Sequence, residues 1–177
     1  EWIAERIAAT QNFTAKVATF TDNGITAQGF TFDTVPPEVE GTVDRVLLIR
    51  ALHNLNRFQQ TAGTRSQALA ATHAMLKKDG LVGVVQHRAP ATASKEWADG
   101  NKGYLNEVAV IAMFAEAGFA LVAQSEINGN PMDQPSGEDT VWRLPPSLRG
   151  SNDDEQRDVM VAIGESDRMT LLFRKAP

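Results

Sequence analysis

Three compact apolar runs limit what this chain can fold into. They are VDRVLLIR at 43–50, LVGVVQH at 81–87 and FALVAQSEI at 119–127. Each is strand-length. The first is bounded by Gly41 and a polar segment, and its near-continuous apolar character fits a strand buried on both faces, as in a parallel sheet. Residues 65–78 (RSQALAATHAMLKK) predict a helix that stops at Asp79-Gly80. Residues 104–117 (YLNEVAVIAMFAEA) predict another, ended by Gly118. Strand, helix, strand, helix, strand is the order of a parallel sheet with crossover helices. At the C-terminal end VMVAIG (159–164) and RMTLLFRK (168–175) read as strands, or one of them does. A terminal strand pair with no helix between predicts an antiparallel edge.

The flanking segments are less regular. WIAERIAATQNFTAKVA at 2–18 has helical apolar spacing. Asp22-Asn23-Gly24 signals a turn, ITAQGFTF at 25–32 alternates like a strand, and Pro36-Pro37 breaks it. Residues 128–157 are rich in Gly, Pro, Asn, Asp and Ser and predict a long connection with little regular structure. Within it, 144–158 reads as a mobile segment and Asp153-Asp154-Glu155 as a solvated loop.

The 177 residues suit one domain, 1–177. The net charge of −5 argues against non-specific binding to nucleic acid or to an anionic membrane, while leaving room for a local basic site. The absence of cysteine excludes disulfides, zinc–thiolate centres and cysteine nucleophiles. No apolar run reaches the ~18 residues of a membrane-spanning helix. The chain opens on Glu1-Trp2, which reads as a processed or trimmed start. Cytoplasm is the default compartment, and the periplasm stays open.

In open α/β sheets ligands sit beyond the carboxyl ends of the strands. Those ends are Phe30 to Asp33, Arg50 to His53, and His87-Arg88. Arg50 carries a planar fork suited to a carboxylate or phosphate. His53 suits a general base, because imidazole titrates near neutrality. His87 and Arg88 repeat the pair at the neighbouring strand end. The bland alternatives are a surface arginine and a structural loop histidine. Tyr104, opening a helix, is a candidate pocket residue. Trp97 and Trp142 either close over a substrate or pin their loops. His73 reads as surface or packing, and Val108, Ile111 and Ala115 as core. His53 and His87 lack the ligand spacing of a metal site, with Asp99 and Glu107 the nearest acids.

Three stretches in register resemble class I S-adenosylmethionine-dependent methyltransferases. ALHNL is similar to the loop after their fourth strand, LKKDGLVGVV to their helix-turn-strand segment, and FAEAGFALV to the helix end before their sixth strand. RMTLLFRK is similar to their seventh strand. A closer likeness is to a group of uncharacterised predicted bacterial methyltransferases. Their pattern is an Arg and a His after the fourth strand, a His-Arg pair after the fifth, and an Asn-Pro…Arg-Gly connection. Here these are Arg50 and His53, His87-Arg88, and Asn130-Pro131 through Arg149-Gly150.

The resemblance implies a Rossmann-like, mostly parallel sheet with helices on both faces, S-adenosylmethionine as cofactor, and methyl transfer to a small-molecule acceptor. It implies His53 and His87 as catalytic residues. Phe30 stacking on adenine, Asp33 at its amino group and Arg50 would bind the cofactor. Arg88, Tyr104 and Trp142 would bind the acceptor, with 128–157 as a long loop or lid. The sequence departs from the pattern in two places. It contains no glycine-rich loop after a first strand, and no acidic residue for the ribose hydroxyls beyond Glu1. The expectation is that N-terminal strands are missing from this sequence, or that a second copy in a homodimer, or another chain, completes the sheet. Two other readings stand beside the methyltransferase: a non-catalytic binding or scaffold protein on the same fold, and a metal-dependent hydrolase using the histidines.

Overall fold

The computed structural model describes residues 2–20, 24 and 27–177. Glu1, Asp22-Asn23 of the expected turn, and Ile25-Thr26 at the start of the expected strand lie outside these. Helices α1 (Trp2–Gln11) and α2 (Phe13–Ala18) divide the first helical segment at Asn12. No strand forms over 27–32, and residues 32–34 turn instead. There the Thr31 N–H donates to Thr34 Oγ1 at 3.2 Å and Thr34 Oγ1 donates to Thr31 O at 3.3 Å, so a local side chain satisfies the backbone in place of a ladder.

The sheet has four strands: β1 (Val43–Ile49), β2 (Leu76–His87), β3 (Phe119–Ser125) and β4 (Arg168–Lys175). Their spatial order is β1-β2-β4-β3, with β1 and β2 parallel and β4 antiparallel to both neighbours. Three strands therefore run one way. The antiparallel C-terminal strand is present, one place in from the edge. This is the α/β class expected from the strand–helix alternation. Between β1 and β2 run α3 (Leu52–Arg57), α4 (Gln59–Ala62) and α5 (Thr64–Met75). Between β2 and β3 runs α6 (Glu107–Glu116). Helix α5 ends at Met75, three residues before the expected stop. Lys77–Gly80 instead bulge out of β2, whose register against β1 jumps from Leu76 to Leu81. Among the described residues no helix is long and apolar enough to cross a membrane.

VMVAIG is not a strand. It is the second half of α7 (Asp154–Ile163). Asp153 accepts from the Gln156 N–H at 2.8 Å, and the Gln156 side chain accepts from the Asn152 N–H at 3.1 Å. This reciprocal cap, with two acids in the first turn, nucleates a helix where apolar content alone suggested a strand.

The core fills one face of the sheet. Leu48, Val82, Val84, Met169, Leu171 and Phe173 meet Leu52, Leu69, Val110 and Phe114 from the helices. Phe114 stacks on Phe173 with ring centroids 4.1 Å apart. On the other face, where the sequence predicts a second helix layer, Leu47 is 66% and Ile49 54% exposed. With Gly83, Val85 and Leu172 they line an open apolar groove of about 370 Å³. β1 is thus buried on one face only among the described residues.

The connection after β3 is anchored. Asp133, buried, accepts from the Tyr104 hydroxyl at 3.0 Å, from Arg143 Nη2 at 2.8 Å and from the Asp167 N–H at 3.0 Å. Removing this carboxylate would leave the buried Tyr104 phenol unmet and Arg143 with Asp139, 3.4 Å from its Nε, as its remaining acid. Asp133→Ala is expected to cost about 3–5 kcal/mol, read as a lowered urea midpoint.

Candidate functional site

β1 ends at Ile49, and Arg50 then takes a left-handed backbone, φ 53°. Its N–H still donates to Val85 O at 2.7 Å, so the parallel ladder runs one residue past the strand before the chain turns into α3. His53 lies in the first turn of α3 and is buried. β2 ends on Gln86-His87, also buried. The two imidazoles approach to 5.5 Å between centroids, and Trp142 stands edge-on to His53 at 6.0 Å.

The Gln86 amide fixes this pair. Its Nε2 donates to Gly103 O at 2.8 Å and to His87 O at 3.3 Å. Two carbonyl acceptors settle which end of the amide is nitrogen. Oε1 therefore points the other way, accepting from the His53 N–H and from His53 Nδ1, both at 3.2 Å. His53 must carry its proton on Nδ1, which leaves Nε2 as a free acceptor. The loop that brings Gly103 O into place packs against the same turn. A Cβ on Gly100, at φ 101°, would sit 2.5 Å from His53 O, so that position needs glycine.

His87 Nδ1 shares a hydrogen bond with Ser166 Oγ at 2.6 Å. Because β4 is antiparallel, its first residues lie at the edge where β1 and β2 end. Arg168 pairs in register with His87. The result is a cavity of about 450 Å³ at the strand ends, faced by Arg50, His53, His87, Trp142, Ser166 and Arg168.

Both histidines resist protonation. Burial, then His53, Arg168 and Arg50, push His87 down to about 3. Burial lowers His53 as well, with the Gln86 bond opposing and Arg57 adding to the drop. Near neutrality both rings are uncharged.

The other expected residues lie elsewhere. Arg88 is held by the chain's own carboxylates: Nε and Nη2 bind Asp167 at 2.9 and 3.0 Å, and Nη1 binds Glu107 at 3.0 Å and Glu126 at 2.9 Å. These bonds, that to Glu126 first, raise its pKa. It faces a separate cavity of about 820 Å³ and has no free edge for an anionic acceptor. Tyr104 is fully buried, stacked on Trp97 and bonded to Asp133; burial chiefly raises its pKa. Trp97 pins its loop by donating to Gly137 O at 2.8 Å. His73 packs edge-on against Phe119. Neither Phe30 nor Asp33 faces the histidine cavity. Among the described residues no group of three or more His, Asp or Glu is placed to hold a metal ion.

Gln86, Ser166 and Arg168 were not anticipated. The signal for Gln86 was a lone amide in an apolar strand, which demands buried partners. The signal for the other two was the antiparallel strand, which delivers its N-terminal end to the ligand edge.

No family model matches the sequence, and no curated protein matches it. Solved structures do match the fold. One is a chain of the complex between the Haloferax volcanii Trm112 methyltransferase activator and a candidate methyltransferase. It is 17% identical at a TM-score of 0.55, over 93% of this chain and 68% of that one. Another is the Burkholderia thailandensis 1,6-didemethyltoxoflavin-N1-methyltransferase with 1,6-didemethyltoxoflavin and S-adenosylhomocysteine. It is 13% identical at a TM-score of 0.51, over 92% of this chain and 56% of that one. A third is described as a pericyclic reaction enzyme: 13% identical, TM-score 0.53, over 91% of this chain and 33% of that one. The chain thus spans from a third to about two thirds of these structures. Its fold is that of the class I methyltransferases, a fold that also carries other chemistry.

Because His87 is held neutral to about pH 3 while an unfolded histidine protonates near 6.5, the unfolded chain binds the extra proton between those values. This contribution to stability is complete above about pH 6.5 and is lost as pH falls towards 3. Below about pH 6 the parent should lose up to ~1.4 kcal/mol per pH unit more than His87→Asn. Urea melts of both proteins at pH 7, 6 and 5 measure the difference.

Proposed function

We propose that this chain serves S-adenosylmethionine-dependent methyl transfer to a small acceptor, and that its described residues form the acceptor side of the site. The observation that carries this reading is the convergence of Arg50, His53, His87 and Trp142 at the carboxyl ends of β1 and β2, on a sheet of methyltransferase type. Of the three residues expected to hold the cofactor, Arg50 alone faces this cavity. The sequence holds no glycine-rich loop, and Phe30 and Asp33 stand apart from the cavity. Glu165, the acid facing it, is taken by Arg168 at 2.5 Å. A sulfonium methyl is already activated, so a methyltransferase chiefly aligns the acceptor and removes its proton. Here Trp142 and the neighbouring apolar wall would pack the acceptor's body, and His53 Nε2, its tautomer set by Gln86, would receive the proton. Ser166, bonded to His87, offers a second polar contact for orientation.

A second reading is a non-catalytic binding or scaffold protein, favoured by the open apolar face beside Leu47 and Ile49. Calorimetric titration with S-adenosylhomocysteine separates the two. Micromolar, saturable binding, unchanged in His53→Ala, is expected for the methyltransferase. No binding by the folded chain would give the scaffold reading the lead. Once an acceptor is found, His53→Ala should lower kcat by about 10²–10⁴-fold with little change in cofactor affinity.

A further inference from the structure

We infer that the cavity at the ends of β1 and β2 takes an acceptor with one oxyanion, carboxylate or phosphate, on an apolar body, and that the oxyanion lies between Arg50 and Arg168. The inference rests on the proposed reading of this cavity as the acceptor side. Four observations carry it.

The charges facing the cavity are Arg50, Arg168 and Glu165, so it is locally basic in a chain whose net charge is −5. The neutral histidines add nothing to that count. Second, the guanidinium of Arg50 makes no ion pair and no hydrogen bond among the described residues, although its backbone is held at φ 53°. An unbranched side chain there costs on the order of 1 kcal/mol, and such strain gathers where it aims a functional group. Third, Arg168 lines the same cavity and gives Nη1 to Glu165, which leaves part of its guanidinium fork for a ligand oxyanion. Fourth, Val141, Trp142, Leu144 and Pro145 form an apolar wall facing the same space. About 450 Å³ admits a small ring-bearing anion.

The contrast with the larger cavity sharpens the point. Arg88 there is matched by Glu107, Glu126 and Asp167, which leaves an excess of negative charge. An anion is attracted to one cavity and repelled by the other.

The test is calorimetric titration of the whole chain with benzoate, phenyl phosphate and benzyl alcohol, with S-adenosylhomocysteine titrated in parallel. At least one anion should bind about tenfold or more tightly than the neutral alcohol. Arg50→Met and Arg168→Met should each weaken that anion about tenfold and leave the alcohol unchanged. Arg45→Met, on an exposed part of β1, should change nothing. Should Arg168→Met fail to fold, Arg168→Lys keeps the charge, removes the planar fork, and should still weaken the anion. The preferred anion names the oxyanion. Equal affinity for alcohol and anions, or an Arg50→Met that binds the anions normally, overturns the inference. So does displacement of S-adenosylhomocysteine by benzoate together with its loss in Arg50→Met, since the anion held would then be the cofactor's own carboxylate. Anion binding without S-adenosylhomocysteine binding removes the methyl-transfer reading and leaves the oxyanion site standing.

Discussion

The buried amide of Gln86 is the fixed point of the site. It lies in β2, where an apolar residue would satisfy the packing, and spends its hydrogen-bonding groups on two other segments and on the end of its own strand. One is the first turn of α3, one the Gly100–Gly103 loop, and one the backbone of His87. A buried amide left unmet costs about 1–3 kcal/mol, so the fold holds all three partners or none. The tautomer of His53 follows from this bond and from nothing in the histidine itself. Chemistry assigned to His53 Nε2 is therefore a property of β2 as much as of α3.

A second polar system fixes the opposite side of the sheet end. Asp167 accepts two bonds from Arg88 and one from the Asn130 N–H, while its own N–H binds Asp133. One short stretch before β4 thus joins β2, the connection after β3, and through Arg88 the start of α6. Ser166, its neighbour in sequence, is presented to His87 by the same anchoring. Arginines with similar sequence settings therefore do different work. Arg88 is bound by three carboxylates, whereas Arg50 has no side-chain partner among the described residues and faces the cavity.

Much of the sheet was legible in the sequence, because compact apolar runs of strand length separated by amphipathic helices admit few arrangements. Arg50, His53 and His87 were legible together because strand ends are where such a sheet presents side chains, whereas Trp142 was read only as a loop residue. Arg88 misled because charge says nothing about partners, and its three carboxylates come from positions 107, 126 and 167. Tyr104, expected to open a helix and line the pocket, precedes α6 and is buried against Asp133. α7 was readable from Asp153 and Gln156, a capping pair that outweighs the β-branched content of VMVAIG. Ser166 and Arg168 required the topology, since only an antiparallel strand beside β2 puts a strand's beginning next to the ends of the others.

The electrostatics of the cavity tie its two halves together. Arg50 and Arg168 both oppose a proton on His87, and His53 opposes it too. An oxyanion seated between the guanidiniums would cancel part of that field. The proton affinity of the imidazoles would then rise when an acceptor is bound and fall when the cavity holds only water. A base that strengthens on occupancy differs from an exposed histidine, which is protonated or not according to bulk pH. Its proton-accepting power would belong to the complex, and the arginines that bind the acceptor would set it. Burial is the first cause that keeps His87 uncharged and the guanidiniums of Arg168 and Arg50 add to it, so an anion between them would relieve the second cause and leave the first.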